Sequence, residues 1–145
     1  MYYRAQTADL ELPMAEDITV AMFRKGPPVP QKNSIMFLQL LQLDLYRDTL
    51  RAGGDKAIDG QHWKREHPTQ SLLLQITPSA NRLMTFGYSI LALQQMMYHM
   101  LTPESPSFGF FAGRWNVIRG RSGEVGQFLL AVIDFQETRS GRVLL

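Results

Sequence analysis

The chain contains no cysteine. That excludes a disulfide scaffold, a thiolate nucleophile and a zinc–thiolate centre, and leaves stability to a packed core. Charge is scarce too: 19% of the 145 residues are Asp, Glu, Lys or Arg, and the formal net charge is +2. The pI near 9.1 is a small excess on a lightly charged chain, a poor footprint for nucleic acid, and no nucleic-acid partner is expected. Internal repeats, low-complexity segments and linkers are missing. The beginning, MYYRAQTADLELP, has neither the basic segment nor the apolar run of a secretory signal, so a cytoplasmic or a processed chain is expected.

What is present is the material of one globular domain over residues 1–145. Hydrophobic residues make up 45% and aromatics 10%, enough to bury a core. The most unusual stretch is RLMTFGYSILALQQMMYHMLTP, where Leu83 to Thr102 carries no charge. Its length would cross a bilayer as a helix, but Gln94 and Gln95 stand near its middle with Thr85, Ser89 and His99 around them. Amides in hydrocarbon are costly, so no membrane span is expected. Phe86, Ile90, Leu93, Met97 and Met100 instead recur at steps of four and three, with Leu101 beside them: one core-facing stripe of a helix. Thr85 supplies an N-cap, and Thr102 before Pro103 a stop. The opposite side, Tyr88, Gln95 and His99, is polar yet uncharged. That composition fits a surface partly covered by another element, a second subunit or a ligand, as well as a plainly solvated one.

ITVAMF, Ile18 to Phe23, alternates as a strand and should end at RKGPPVP, because prolines remove ladder donors. NSIMFLQLLQLDLYRDTLRAGG then predicts a helix capped at Asn33/Ser34 and stopped by Gly53-Gly54. It has two apolar flanks. Leu38, Leu41 and Leu45 form one; Met36, Leu40, Leu43 and Leu50 form the other. Between them run Gln39, Gln42 and Thr49 on one side and Asp44, Arg47 and Asp48 on the other. Two flanks imply two neighbours. DKAIDGQHWKREHP reads as a loop with a short helical turn around Trp63. SLLLQI is a buried strand, and FGFFAGRWNVIRG and EVGQFLLAVIDF form a hairpin through RGRSGE. Val125, Leu129, Ala131 and Ile133 on one face of the last strand, and Phe128, Leu130 and Val132 on the other, make it apolar on both. Gly109, Gly113 and Gly126 mark bulges or close backbone approach. The order strand–helix–strand–helix–strand–strand predicts a two-layer α+β domain: a mixed sheet of four or five strands with both helices on one face. Asp9–Pro13 would add an edge strand.

The segment SLLLQITPSANRLMTFGYSILALQQMMYHML, followed by GRWNVIRGRSGEVGQFLL, resembles a pattern in short fungal proteins of unknown function. In those a strand leads into a Leu-Thr-Tyr-Gly-like helix start, an apolar helix follows, and a glycine opens the last of a strand pair. Leu83, Thr85, Phe86, Gly87 and Gly126 match it, over the C-terminal half. Met84 separates the Leu from the Thr, and Phe86 stands in the place of Tyr. The resemblance implies no catalytic residues. Many such proteins carry signal peptides, a feature not seen here.

Chemistry-bearing residues are few. His62 and His67 with Asp59 or Glu66 match no standard ligand spacing, and neither metal nor cofactor is expected. GGDKAIDG follows a helix instead of opening one, so it offers no phosphate cradle. Arg114, Arg119 and Arg121 around Trp115 are diluted by Glu124 and Asp134. His99 is the best proton-transfer candidate, Asp44 would orient its imidazole if the two helices are adjacent, and Tyr88, Gln95 and Trp115 would contact a ligand. Two functions fit. One is a non-catalytic binding or association module, a homodimer or the holder of a small apolar ligand. The other is a cofactor-independent isomerase or cyclase acting on a small apolar metabolite through His99.

Overall fold

The computed structural model describes residues 18–58, 63–67, 71–80, 83–120 and 126–138. The element order is β1 (Ile18–Pro28), α1 (Gln31–Ala52), β2 (Trp63–His67), β3 (Leu72–Pro78), α2 (Phe86–Leu101), β4 (Phe111–Arg119) and β5 (Phe128–Glu137). The strands form one sheet in the order β1-β4-β5-β3-β2, a small α+β domain as expected. Asp9–Pro13, Asp59, His62, Arg121, Glu124 and Val125 lie outside the described residues.

Every neighbouring pair is antiparallel, where a mixed sheet is expected. Topology gives the reason. A helical crossover returns the chain in its original direction, so β1 and β2 run the same way, as do β3 and β4. Neither pair is adjacent. β5 inserts between β3 and β4, and β1 and β2 end at opposite edges. Parallel directions are present without a parallel ladder.

Strand alternation decides which face is buried. One register row crosses all five strands: Met22, Trp115, Ile133, Ile76 and Trp63. All are buried except Met22, which is partly so. Both helices lie on this face. The His99 ring of α2 stacks on Trp115 with centroids 6.3 Å apart, and Asp48 of α1 accepts from Trp63 Nε1 at 3.3 Å. In the next row Phe135 stacks against Phe37 of α1 at 6.2 Å. The opposite face carries Arg24, Arg114, Asp134, Gln75 and Lys64 in one row, with Arg114 Nε 2.8 Å from Asp134 Oδ1.

Two local expectations are corrected. β1 continues through Gly26 and Pro27 to Pro28, where a connector is expected. It is an edge strand, so an absent N–H can face away from the ladder, and bulges at Met22/Arg24 and Lys25/Pro28 absorb the irregular register. Gly113 permits this close approach: a Cβ there would stand 2.5 Å from the Arg24 carbonyl oxygen. Trp63 opens a strand, not a helical turn. β2 is charged at Lys64, Arg65 and Glu66, but Arg65 turns to the helix side, reaching Asp44 at 3.7 Å and Asp48 at 3.6 Å and covering the Trp63 ring at 4.3 Å.

α1 begins at Gln31, with Pro30 at the N-cap position, instead of at an Asn33/Ser34 cap; the Ser34 hydroxyl donates to the Pro30 carbonyl at 2.7 Å. It stops at Gly53, whose φ of 101° suits glycine and whose N–H donates to Thr49 O at 2.7 Å. α2 has the expected ends: Thr85 Oγ1 accepts from Tyr88 N at 3.1 Å, and Thr102 closes it. Its first amides are satisfied by the segment after α1, through Phe86 N to Lys56 O at 3.1 Å and Gly87 N to Gly54 O at 2.9 Å. The buried stripe is rotated slightly from the expected one. Ile90, Leu93 and Met100 are fully buried and joined by Ser89, Ala92 and Met96, while Phe86 and Met97 are only partly buried and Leu101 is exposed.

Leu93→Ala removes a fully buried side chain from the middle of α2 and is expected to cost about 2–5 kcal/mol in denaturant unfolding. A midpoint and slope unchanged from the parent chain would contradict the burial of this face.

Candidate functional site

The polar side of α2 faces the β1/β4 end of the sheet. Gln95 Nε2 donates to the Ile18 carbonyl of β1 at 3.4 Å, tying the helix to an edge strand. Tyr88 is buried, and the Arg119 guanidinium lies over its ring at 5.5 Å. One turn beyond Gln95, His99 is half-buried. Its Nδ1 lies 3.0 Å from Ser105 Oγ, and the Tyr98 ring meets it edge-on at 5.7 Å. The uncharged polar face is therefore covered by another element of the same chain, one of the alternatives open in the sequence.

The loop after α2 presents Ser105. Its amide donates to Thr102 O at 3.0 Å, its carbonyl accepts from Phe108 N at 3.1 Å, and Gly109 N closes back on Met100 O at 2.9 Å. Ser105 Oγ also accepts from Ser107 N at 3.2 Å. His99 thus sits over a turn whose backbone groups are mutually satisfied, with the indole of Trp115 beneath its ring.

Among the sequence-derived candidates, Tyr88, Gln95 and His99 share one helix face, and Trp115 lies under it. Trp115 is core: it is fully buried, and its Nε1 finds no hydrogen-bond partner. Asp44 does not serve His99. The helices are adjacent, but Asp44 pairs with Arg47 at 3.4 Å and with Arg65 of β2, whereas the His99 contact is to Ser105. Ser105 is the partner that the sequence reading missed; its place six residues after His99, in a Pro-flanked turn, was the available signal. The arginines do not form one surface with Trp115. Alternation sends Arg114 to the open face, beside Asp134 and over Phe23 at 5.6 Å, while Trp115 points to the helices. Among the described residues no three His, Asp or Glu side chains group as a metal site.

A second feature stands out on α1. Of its two apolar flanks, Leu38, Leu41 and Leu45 are buried, while Met36, Leu40, Leu43 and Leu50 are exposed together with Tyr46. α2 adds exposed Tyr98 and Leu101. Gln42 and Thr49, on the flank between, are used internally: Gln42 Nε2 reaches Met97 Sδ of α2 at 3.3 Å, and Thr49 Oγ1 donates to Leu45 O at 2.8 Å. The two most exposed leucines among the described residues, Leu50 and Leu43, both lie on α1.

A serine hydroxyl has one proton and two lone pairs. Ser107 N–H occupies one lone pair, and Nδ1 is the acceptor within reach of the Ser105 O–H among the described contacts, so donation to Nδ1, with neutral His99 as the Nε2–H tautomer, is the expected arrangement. Long-range proton–nitrogen correlation checks this; an Nδ1–H ring would reverse the assignment. No protein-family model, curated protein or solved structure matches the chain.

Proposed function

We propose that this chain is a non-catalytic association module that works through the outer face of α1. The single observation that carries the reading is the exposed stripe Met36, Leu40, Leu43, Tyr46 and Leu50. Isolated exposed leucines are ordinary, but a row at helical spacing is the signature of an interaction surface. Its cost in solubility is hard to explain without an occupant. The apolar occupant is a protein surface, since the stripe lies on a convex helix and not in a concavity that would enclose a small molecule.

The isomerase or cyclase reading rests on the contact between His99 and Ser105 at 3.0 Å. It is the weaker of the two, because Asp44 is engaged by Arg47 and Arg65 and Trp115 is closed into the core. Kinship with the short fungal proteins is likewise a proposal. Its physical support is that Thr85 caps α2 and that Gly126, before the last strand, has a φ of 93°.

Photo-crosslinking in expressing cells tests the association reading. A benzophenone side chain at Tyr46 is expected to yield a discrete protein adduct, and one at Lys64, on the open sheet face, none. Equal labelling from both positions, or none from Tyr46, would count against it.

A further inference from the structure

We propose that the occupant of the α1 stripe is a second copy of this chain, with the two α1 helices packed antiparallel about a two-fold axis beside Leu43. The inference rests on the association reading and adds the partner and the geometry. It comes from the pattern of the stripe itself. Met36 and Leu50 stand at equal distances on either side of Leu43, as do Leu40 and Tyr46, and Gln39 and Arg47. Steps of four, three, four and three connect Met36, Leu40, Leu43, Arg47 and Leu50, which places all five along one seam.

Reversing such a helix against itself gives compatible neighbours throughout. Leu43 meets Leu43 of the second copy at the axis, and Met36 meets Leu50 at each end. To one side Leu40 lies under the aliphatic stem of Arg47, whose guanidinium stays at the rim beside Asp44 of its own helix, 3.4 Å away. To the other side the Gln39 amide faces the Tyr46 hydroxyl. No like charges are brought together. A parallel arrangement would set Arg47 against Arg47 and align the two helix dipoles, so charge selects the antiparallel one. This is the isologous contact of a two-fold dimer, in which one patch serves both copies.

Area points the same way. Met36 is 45% exposed, Leu40 39%, Leu43 58%, Tyr46 41% and Leu50 66%, with Tyr98 at 62% and Leu101 at 48% on α2. Together these seven side chains offer roughly 700 Å² per copy, close to the ~800 Å² per partner of a stable interface. α2 lies along the Gln42 side of α1, where Gln42 reaches Met97, and the two-fold axis brings both α2 helices to the same side of the contact, so the exposed Tyr98 and Leu101 of each copy would extend the patch there.

The absence of cysteine makes the test direct, since a single introduced thiol is the only one in the molecule. The parent chain should sediment as two chains of 16.6 kDa at micromolar concentration. Leu43→Cys should oxidise to a disulfide-linked dimer, because position 43 meets itself. Met36→Cys alone should stay unlinked, as should Leu50→Cys alone, while a mixture of the two should link 36 to 50. All three sites are exposed, so the variants retain the core. Linkage of 36 to 36 or 50 to 50 in preference to 36 to 50 would overturn the antiparallel geometry. A monomer at high micromolar concentration that forms no 43–43 link would overturn the second-copy assignment. In that case a discrete Tyr46 adduct of some other mass in cells would still uphold the association reading, so the two can fail separately.

Discussion

Trp115 sits on β4, second of the five strands in the register row that crosses the sheet, and its indole is the largest fully buried side chain among the described residues. Much of the structure follows from making room for it. Burying an indole removes about 150–250 Å² from water, or roughly 4–6 kcal/mol at 25 cal/mol per Å². Leaving its Nε1 without an acceptor costs about 1–3 kcal/mol. The first term exceeds the second, so the ring stays inside despite its unpartnered donor. The strand beside it then has to accommodate the bulk. β1 bulges just past Met22, the residue paired with Trp115, and Gly113, two positions before it, lets the Arg24 carbonyl come close. Above the indole the helix supplies His99, its ring in an offset stack at 6.3 Å, with Ser105 Oγ 3.0 Å from its Nδ1.

Among the described residues, two helices over five strands cover one face of the sheet and leave the other open. The open face meets that condition with polar side chains at its centre: the ion pair of Arg114 with Asp134, with Gln75 and Lys64 continuing the row. The outer surface of the helix layer does not. There the chain places leucines where lysines and glutamates would keep a monomer soluble at no structural cost. This asymmetry separates the two surfaces. One looks like ordinary solvated sheet, and the other like half of an interface. Gln42, Asp44 and Asp48 face sideways, Gln42 toward Met97 and the two carboxylates toward Arg65, so that Arg47 and Gln39 are the polar residues left along the stripe.

What was legible in the sequence were the elements whose signals are local. The period of α2, its Thr85 cap, the Gly53 stop of α1 and the apolar run of β3 each depend on neighbours within a turn or a strand. The sequence pattern also showed that α1 has two apolar flanks, though not which would face the sheet. β2 was illegible because its inward position, Arg65, is charged. Its half-exposed guanidinium is turned to the helix side by Asp44 and Asp48, more than fifteen residues earlier. The prolines at the end of β1 misled for a related reason. Their exclusion from sheets is a rule about central strands, and the chain alone does not say that β1 is an edge. For the candidate site, grouping Tyr88, Gln95 and His99 on one face followed from helical spacing. Their actual partners, Ile18, Arg119 and Ser105, depended on tertiary placement.

The arrangement around His99 bears on why that polar face carries no charge. Gln95 reaches a strand carbonyl, Tyr88 lies under an arginine, and His99 lies between an indole and a serine. A lysine at any of these positions would be partly desolvated with no carboxylate to pair with, since the charged side chain placed against this face by the contacts described is Arg119. Gln95 finds a strand carbonyl and His99 a serine hydroxyl, and the Tyr88 ring packs under a guanidinium without bringing a charge of its own onto this face. The uncharged stripe that first suggests a binding site is therefore the composition needed to seat a helix on an edge strand. Among the described residues the leucine stripe on α1 has no such internal explanation. Of the two unusual faces in this sequence, the one that looked like chemistry is accounted for by the fold, and the one that looked like spare core is left exposed by it.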